Sequence, residues 1–197
     1  MAQRQEATRR KAKAEESKNR IYETALAVIG EKGFEATTIL DITARAGVAI
    51  GTFYHYFHSK SGILEENFRR ADEAFASFAA TPGLKEGPAG ERILRYLDRY
   101  ALLIEETGID LIKQLYTSKN KLFIRRGRAM QEGLIALLAE AQARGELKPE
   151  PGPEGICDYL FIAARGVVFH WCLLEGEKSI RELMREHFAP LVPIFLA

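Results

Sequence analysis

The chain has 197 residues, 28 Lys and Arg against 27 Asp and Glu for a formal net charge of +1, and a 47% share of hydrophobic residues. That apolar share excludes a disordered or low-complexity chain, and the length supplies a core for one large domain or two small ones. Two cysteines form no disulfide framework and point to a reducing, intracellular setting.

Apolar residues recur with a helical period in nearly every segment and none alternates as a strand does, so an all-α fold of about nine helices is expected. Ile21, Ala25, Val28 and Ile29 stripe a first helix, which Gly33 ends in a left-handed conformation with Phe34 packing back. Thr38 caps a second helix, with Asp41 three residues on in a variant of the capping box, and Ile39, Ile42 and Ala46 facing inward. Gly47 ends it, and a third short helix runs from about Ala49 to Tyr56. Ser59 caps a fourth, striped by Leu64, Phe68, Ala71, Phe75 and Phe78. The segment TPGLKEGPAG at 81–90 is the clearest break. Beyond it, Ile93, Leu97, Tyr100 and Ile104 mark a fifth helix, and Ile109, Ile112 and Leu115 a sixth. Met130, Leu134, Leu137 and Ala141 mark a seventh, stopped at Gly145. Pro153 opens an eighth, striped by Ile156, Leu160, Ala163, Val167 and Trp171. Ile180, Met184, His187, Leu191 and Phe195 define a ninth, which Pro190 and Pro193 kink or end.

The longest apolar stretch, 159–174, runs 16 residues and contains Arg165 and His170. A spanning helix needs about 20 largely apolar residues, so a buried helix is expected instead. With no signal-peptide core behind its basic N-terminus, the chain is expected to be soluble and cytoplasmic, with no membrane partner.

Charge is unevenly placed. Residues 1–20 carry a net +4, residues 1–62 a net +3 and residues 63–197 a net −2, and no acidic residue occurs from Ile42 to Leu64. A surface without carboxylates suits a polyanionic partner. The expected division is therefore 1–62, an N-terminal arm and a three-helix unit, and 63–197, a larger helical domain, joined by a linking helix at 60–80.

Residues 33–64 carry the function. Helix, a three-residue turn at Ala46-Gly47-Val48, and helix make a helix-turn-helix, with Gly47 supplying the positive φ of the turn. With Val48, Phe53 and Phe57 inward, Ile50, Gly51, Thr52, Tyr54, His55 and Tyr56 are left for the surface of a helix seated in a DNA major groove. Mid-helix Gly51 costs about 1 kcal/mol relative to Ala, and its missing side chain allows close backbone approach. Lys60 near one helix start and Thr38 at another are placed to share a phosphate with free amides.

This stretch resembles the DNA-binding region of the TetR family of bacterial transcription regulators. The matching positions are Gly33-Phe34, Thr37-Thr38, Ile42, Ala46-Gly47-Val48, Gly51-Thr52-Phe53-Tyr54, Tyr56-Phe57 and Lys60. The resemblance implies a homodimeric repressor on double-stranded palindromic operator DNA, its third helix reading the groove and its remaining helices sensing a small-molecule effector. It implies phosphate contacts from Thr38, Thr52, Tyr54 and Lys60, base-side contacts from Ile50, Gly51 and His55, and either role for Tyr56. Ala49 departs from the Ser or Thr common in the family, losing an N-cap hydroxyl worth about 1 kcal/mol.

In the larger domain, Tyr96, Tyr100, Tyr116, Phe123, Met130, Phe161 and Phe169 are candidates to line a ligand cavity or simply to fill core. Arg165 and His170 interrupt an apolar helix and must pair, reach water or meet a ligand; Arg165 is the candidate for an acidic or polar ligand group. Helices apolar on more than one side suggest a dimeric four-helix bundle, with Val168, Trp171, Leu183, Phe188, Leu191 and Phe195 at its interface. The run Arg125-Arg126-Gly127-Arg128 reads as a solvated face. Cys157 and Cys172 lie too far apart on one helix to bridge, and His55 and His58 lack further ligands, so no metal is expected. No phosphate loop, nucleophile elbow, zinc helix or dinucleotide fingerprint occurs, so neither an enzyme nor a cofactor is expected. A sensor or scaffold with a vestigial helix-turn-helix is the alternative, ahead of an all-α enzyme.

Overall fold

A computed structural model describes residues 1–118 and 120–197; the side chains of residues 2, 3, 4 and 7, including Arg4 of the basic arm, lie outside the description. The described residues form α1 (Ala2–Lys32), α2 (Ile39–Ala46), α3 (Ile50–Phe57), α4 (Ser61–Ala79), α5 (Ala89–Thr107), α6 (Ile109–Leu115), α7 (Ala129–Ala143), α8 (Pro153–Leu173) and α9 (Ile180–Leu191). Short 3-10 turns lie at Pro82–Leu84, Lys121–Ile124 and Val192–Phe195. No strand occurs among these residues, so the fold is all-α.

Two compact units divide the chain at Asn67 and Phe68, with α4 running through both. The division falls beyond the 62–63 boundary expected from charge because the start of α4 belongs to the first unit. Ile63 is fully buried there, Lys18 Nζ donates to Glu66 Oε2 at 2.9 Å, and Tyr22 Oη donates to Asn67 Oδ1 at 2.9 Å. Leu64, expected inward, is only half-buried.

In the first unit, α1 buries Ile21, Ala25, Val28 and Ile29. Gly33 ends it with φ 78° and ψ 157°, a positive φ but outside the left-handed helical region expected for it. The capping box of α2 is complete: Asp41 N donates to Thr38 Oγ1 at 3.1 Å, and Thr38 N donates to Asp41 Oδ2 at 2.9 Å. Gly47 makes the turn in the left-handed region, φ 66° and ψ 39°. Gly62 is a second required glycine, which the sequence reading did not single out. A Cβ there would stand 2.1 Å from the Phe57 carbonyl oxygen, so only glycine lets α4 begin against the end of α3.

In the second unit, α5 buries Ile93, Tyr96, Leu97, Tyr100 and Ile104, and α7 buries Met130, Leu134, Leu137, Leu138 and Ala141. A buried cation joins this packing: Arg92 Nη2 donates to both Glu146 carboxylate oxygens at 3.0 and 3.1 Å. Helix α9 turns Ile180, Leu183, Met184 and Phe188 inward, so His187, expected on that face, is exposed. Helix α8 is long and apolar enough to cross a membrane by length and composition, yet half of its most apolar window is buried inside the chain.

Two outcomes test the local account of α2. Thr38→Ala removes the cap and should lower the unfolding free energy by about 1 kcal/mol in denaturant titration. Asp41 lies well below the usual carboxylate range, held there by the hydrogen bond from Lys32, then by the backbone and side chain of Thr38. Its stabilisation is present above the ordinary carboxylate pKa and is lost as pH falls through the depressed one. Asp41→Asn should therefore flatten the loss of thermal stability on acidification below about pH 4; an unchanged acid profile would contradict this.

Candidate functional site

Helix α3 has eight residues, too few to persist alone in water. Two rings anchor it: Phe53 is fully buried and Phe57 nearly so, with centroids 5.5 Å apart. At its far end Lys60 forms a clamp. Its Nζ donates to the carbonyls of Phe34 at 2.6 Å, Glu35 at 3.2 Å and Thr37 at 2.9 Å, and lies 4.5 Å from the centroid of the Phe34 ring. All three ammonium donors are engaged within the unit. This corrects the expectation that Lys60 has a donor free to hydrogen-bond a phosphate.

The anchoring leaves the opposite side of α3 uncovered. Ile50, Gly51, Tyr54 and His55 are exposed, and Thr52 and Tyr56 half-buried. Tyr54 stands edge-on to Phe53 at 5.9 Å, and Tyr56 edge-on to His55 at 4.8 Å, so the rings brace one another along the helix. Nothing lies within 4 Å of a Cβ built on Gly51, so the packing of the chain itself gives no reason for glycine there. Ala49 precedes α3 without a side-chain cap, as its missing hydroxyl requires.

Thr38 is exposed at the start of α2, its hydroxyl donating to Asp41 Oδ2 at 2.8 Å. The carboxylates bordering α2 are neutralised within the unit: Lys32 Nζ lies 2.9 Å from Asp41 and Arg45 Nη1 2.6 Å from Glu31. The Arg45 hydrogen bond lowers the pKa of Glu31. The surface around α2 and α3 thus presents backbone amides, hydroxyls and rings with few free negative charges.

Within the second unit, most of the expected ligand residues meet in one aromatic cluster. The Tyr100 and Tyr116 hydroxyls hydrogen-bond each other, and Phe161 stands edge-on to Tyr100 at 5.6 Å. Tyr96 Oη donates to the Met130 carbonyl at 2.8 Å. Burial raises the pKa of all three tyrosines. Arg165 is half-buried beside the cluster, its Nη1 donating to the Phe123 carbonyl at 3.4 Å. Phe169 does not join them. It is 52% exposed on the far side of α8, which corrects its assignment to a cavity. A surface cleft of about 270 Å³ lies elsewhere, lined by Leu94, Asp98, Arg181, Met184 and Phe188 among others. Both cysteines are free and buried, and burial pushes the Cys157 thiol up to about 12 and raises that of Cys172.

The expected interface residues also need correction. Val168, Trp171, Leu183, Phe188 and Phe195 are buried in the chain's own core and Leu191 is half-buried, so the first five have no surface to offer a partner. Among the exposed residues of α8, Tyr159, Ile162, Gly166, Phe169 and Leu173 form one stripe. Their spacing alternates between three and four, the repeat of a helix-pairing seam. That spacing was visible in the sequence, but not which of two apolar faces would be left over.

Residues 21–66 match the family described as bacterial regulatory proteins, tetR family. The chain is 22% identical over 187 residues to the HTH-type transcriptional repressor DhaR of Mycobacterium sp. (strain GP1), covering 88% of this chain and 91% of that protein. It is 26% identical over 134 residues to the fatty acid metabolism regulator protein of Bacillus subtilis (strain 168), covering 65% and 69%. The solved structure of FadR from Bacillus subtilis in complex with stearoyl-CoA has a similar fold, with a TM-score of 0.70 at 22% identity over 88% of this chain and 96% of that one. An uncovered α3 on a three-helix unit and the signature across it agree with that match: residues 21–66 form a DNA-binding region of the TetR family of bacterial transcriptional regulators.

Proposed function

We propose that this chain is a cytoplasmic, non-enzymatic repressor that binds a palindromic operator as a homodimer and leaves it when a small molecule occupies the second unit. The observation that carries the reading is the α3 face: uncovered, without carboxylates, and holding at Gly51 a glycine that its own packing does not require. Ile50, Gly51 and His55 face base edges; Thr38, Thr52 and Tyr54 contact phosphates, and Tyr56 either. Relatives named as repressors support the direction of control. The effector enters the aromatic cluster around Tyr96, Tyr100, Tyr116, Met130, Phe161 and Arg165, and favours a dimer whose two α3 helices are mis-spaced for major grooves about 34–36 Å apart. By linkage, operator DNA weakens effector binding by the same factor.

The homodimer is formed through the α8 stripe. Tyr159, Ile162, Phe169 and Leu173 are large apolar side chains left in water by the single chain, and Gly166 at the centre permits close helix approach.

Binding to DNA from the chain's own gene neighbourhood, measured across salt concentrations, tests the regulator reading. Tight, sequence-dependent binding with a steep negative salt slope is expected; weak binding indifferent to sequence would favour a vestigial helix-turn-helix. Gly51→Ala separates stability from function: it should stabilise the unit by about 1 kcal/mol while weakening operator binding. Unchanged affinity in that variant would remove Gly51 from the interface. For the dimer, Ile162→Glu with Leu173→Glu should give a helical monomer in light scattering, whereas a persistent dimer would place the interface elsewhere.

A further inference from the structure

We propose that the segment 121–128 and Arg165 bind the multiply charged, phosphate-bearing head of an acyl ligand whose apolar tail enters the aromatic cluster. The inference rests on the effector reading above and names the chemistry of that effector. Residues 121–128, KLFIRRGR, hold four cations and no carboxylate. One of the four is engaged structurally: Arg128 donates to both oxygens of Asp72 at 3.2 Å and its guanidinium lies 4.6 Å from the Phe68 ring. The others face outward. Arg125 is exposed with no ion pair among the described residues, and Arg126 reaches only Asp158, at 3.8 Å with both side chains largely in water. Lys121 Nζ donates to the Ser118 carbonyl at 2.8 Å, leaving two donors. Between these cations Ile124 is 71% exposed, an apolar residue held in water.

The same segment closes the aromatic cluster. The Phe123 ring packs on Tyr116 at 4.6 Å and on Phe68 at 5.4 Å. Its carbonyl receives the long hydrogen bond from Arg165, which forms no ion pair among the described residues. Arg165 is half-buried, is held by one long hydrogen bond and has no carboxylate partner among the described residues, so an anion beside it would gain a charge-assisted hydrogen bond. Arg125, Arg126 and Arg165 together exceed what a single carboxylate neutralises; a phosphate-bearing head matches them, and bidentate guanidinium–phosphate pairs are strong. Withdrawal of Phe123 would then uncover Tyr100, Tyr116 and Phe161 to an apolar chain.

Calorimetric titration of the full chain with palmitoyl-CoA, palmitate and free coenzyme A tests this. Palmitoyl-CoA should bind most tightly, with an affinity that falls as salt rises. Arg125→Ala with Arg126→Ala, both exposed and free of packing, should weaken palmitoyl-CoA binding about tenfold and leave palmitate binding unchanged. Wild-type affinity in the double variant, equal affinities for palmitate and palmitoyl-CoA, or no binding of any of the three would overturn the proposal. Operator binding measured without ligand decides the regulator reading separately, so either can fail alone.

Discussion

An eight-residue helix cannot support itself in water, and the first unit is arranged around that constraint. Helix α3 is held by Phe53 and Phe57 from beneath, by the Gly47 turn at one end and by the Lys60 clamp at the other. Each of these contacts acts on the inner side or the ends. None uses the outer face, so the polar groups and rings of Ile50 to Tyr56 stay available for a partner. Rigid anchoring and an uncovered face follow from one arrangement, and a groove-reading helix needs both. Lys60 shows how closely the two are tied: a cation just beyond α3 is used to satisfy the carbonyls of residues 34, 35 and 37.

The second unit poses the opposite problem, with more apolar surface than one chain can cover. Helix α8 carries apolar residues around most of its circumference. Packing within the chain takes Ile156, Leu160, Ala164 and Val168, and the stripe from Tyr159 to Leu173 remains outside. The core beside it is polar where the Tyr100 and Tyr116 hydroxyls meet and Arg165 donates to the carbonyl of Phe123, in a loop rich in cations. Buried polar groups carry a cost unless they are satisfied, and natural cores keep them where binding or specificity uses them.

Local features were the legible ones. The Thr38 capping box, the Gly47 turn, Pro153 at the first position of α8 and the buried stripes of α1, α5 and α7 depend on residues a few positions apart, and all follow from spacing. The family signature lies in the same stretch, so α3 was legible with it. Gly62 escaped notice because its reason is a contact with the Phe57 carbonyl, which no periodicity displays. Arg92 escaped for a similar cause: its partner Glu146 lies far along the chain.

The sequence by itself determined the helices, their caps, the helix-turn-helix and the separation of a basic from an acidic half. These are set by nearest neighbours along the chain and by composition. Only the tertiary structure decided which apolar face of α8 is core and which is left over, moving Phe169 outward and Val168 and Trp171 inward. It also decided that the Lys60 donors turn inward and that Arg165 lies under the 121–128 segment. A helix with two apolar faces reads the same from either side, and a long cationic side chain reaches in any direction. Only the neighbours supplied by distant segments break those degeneracies.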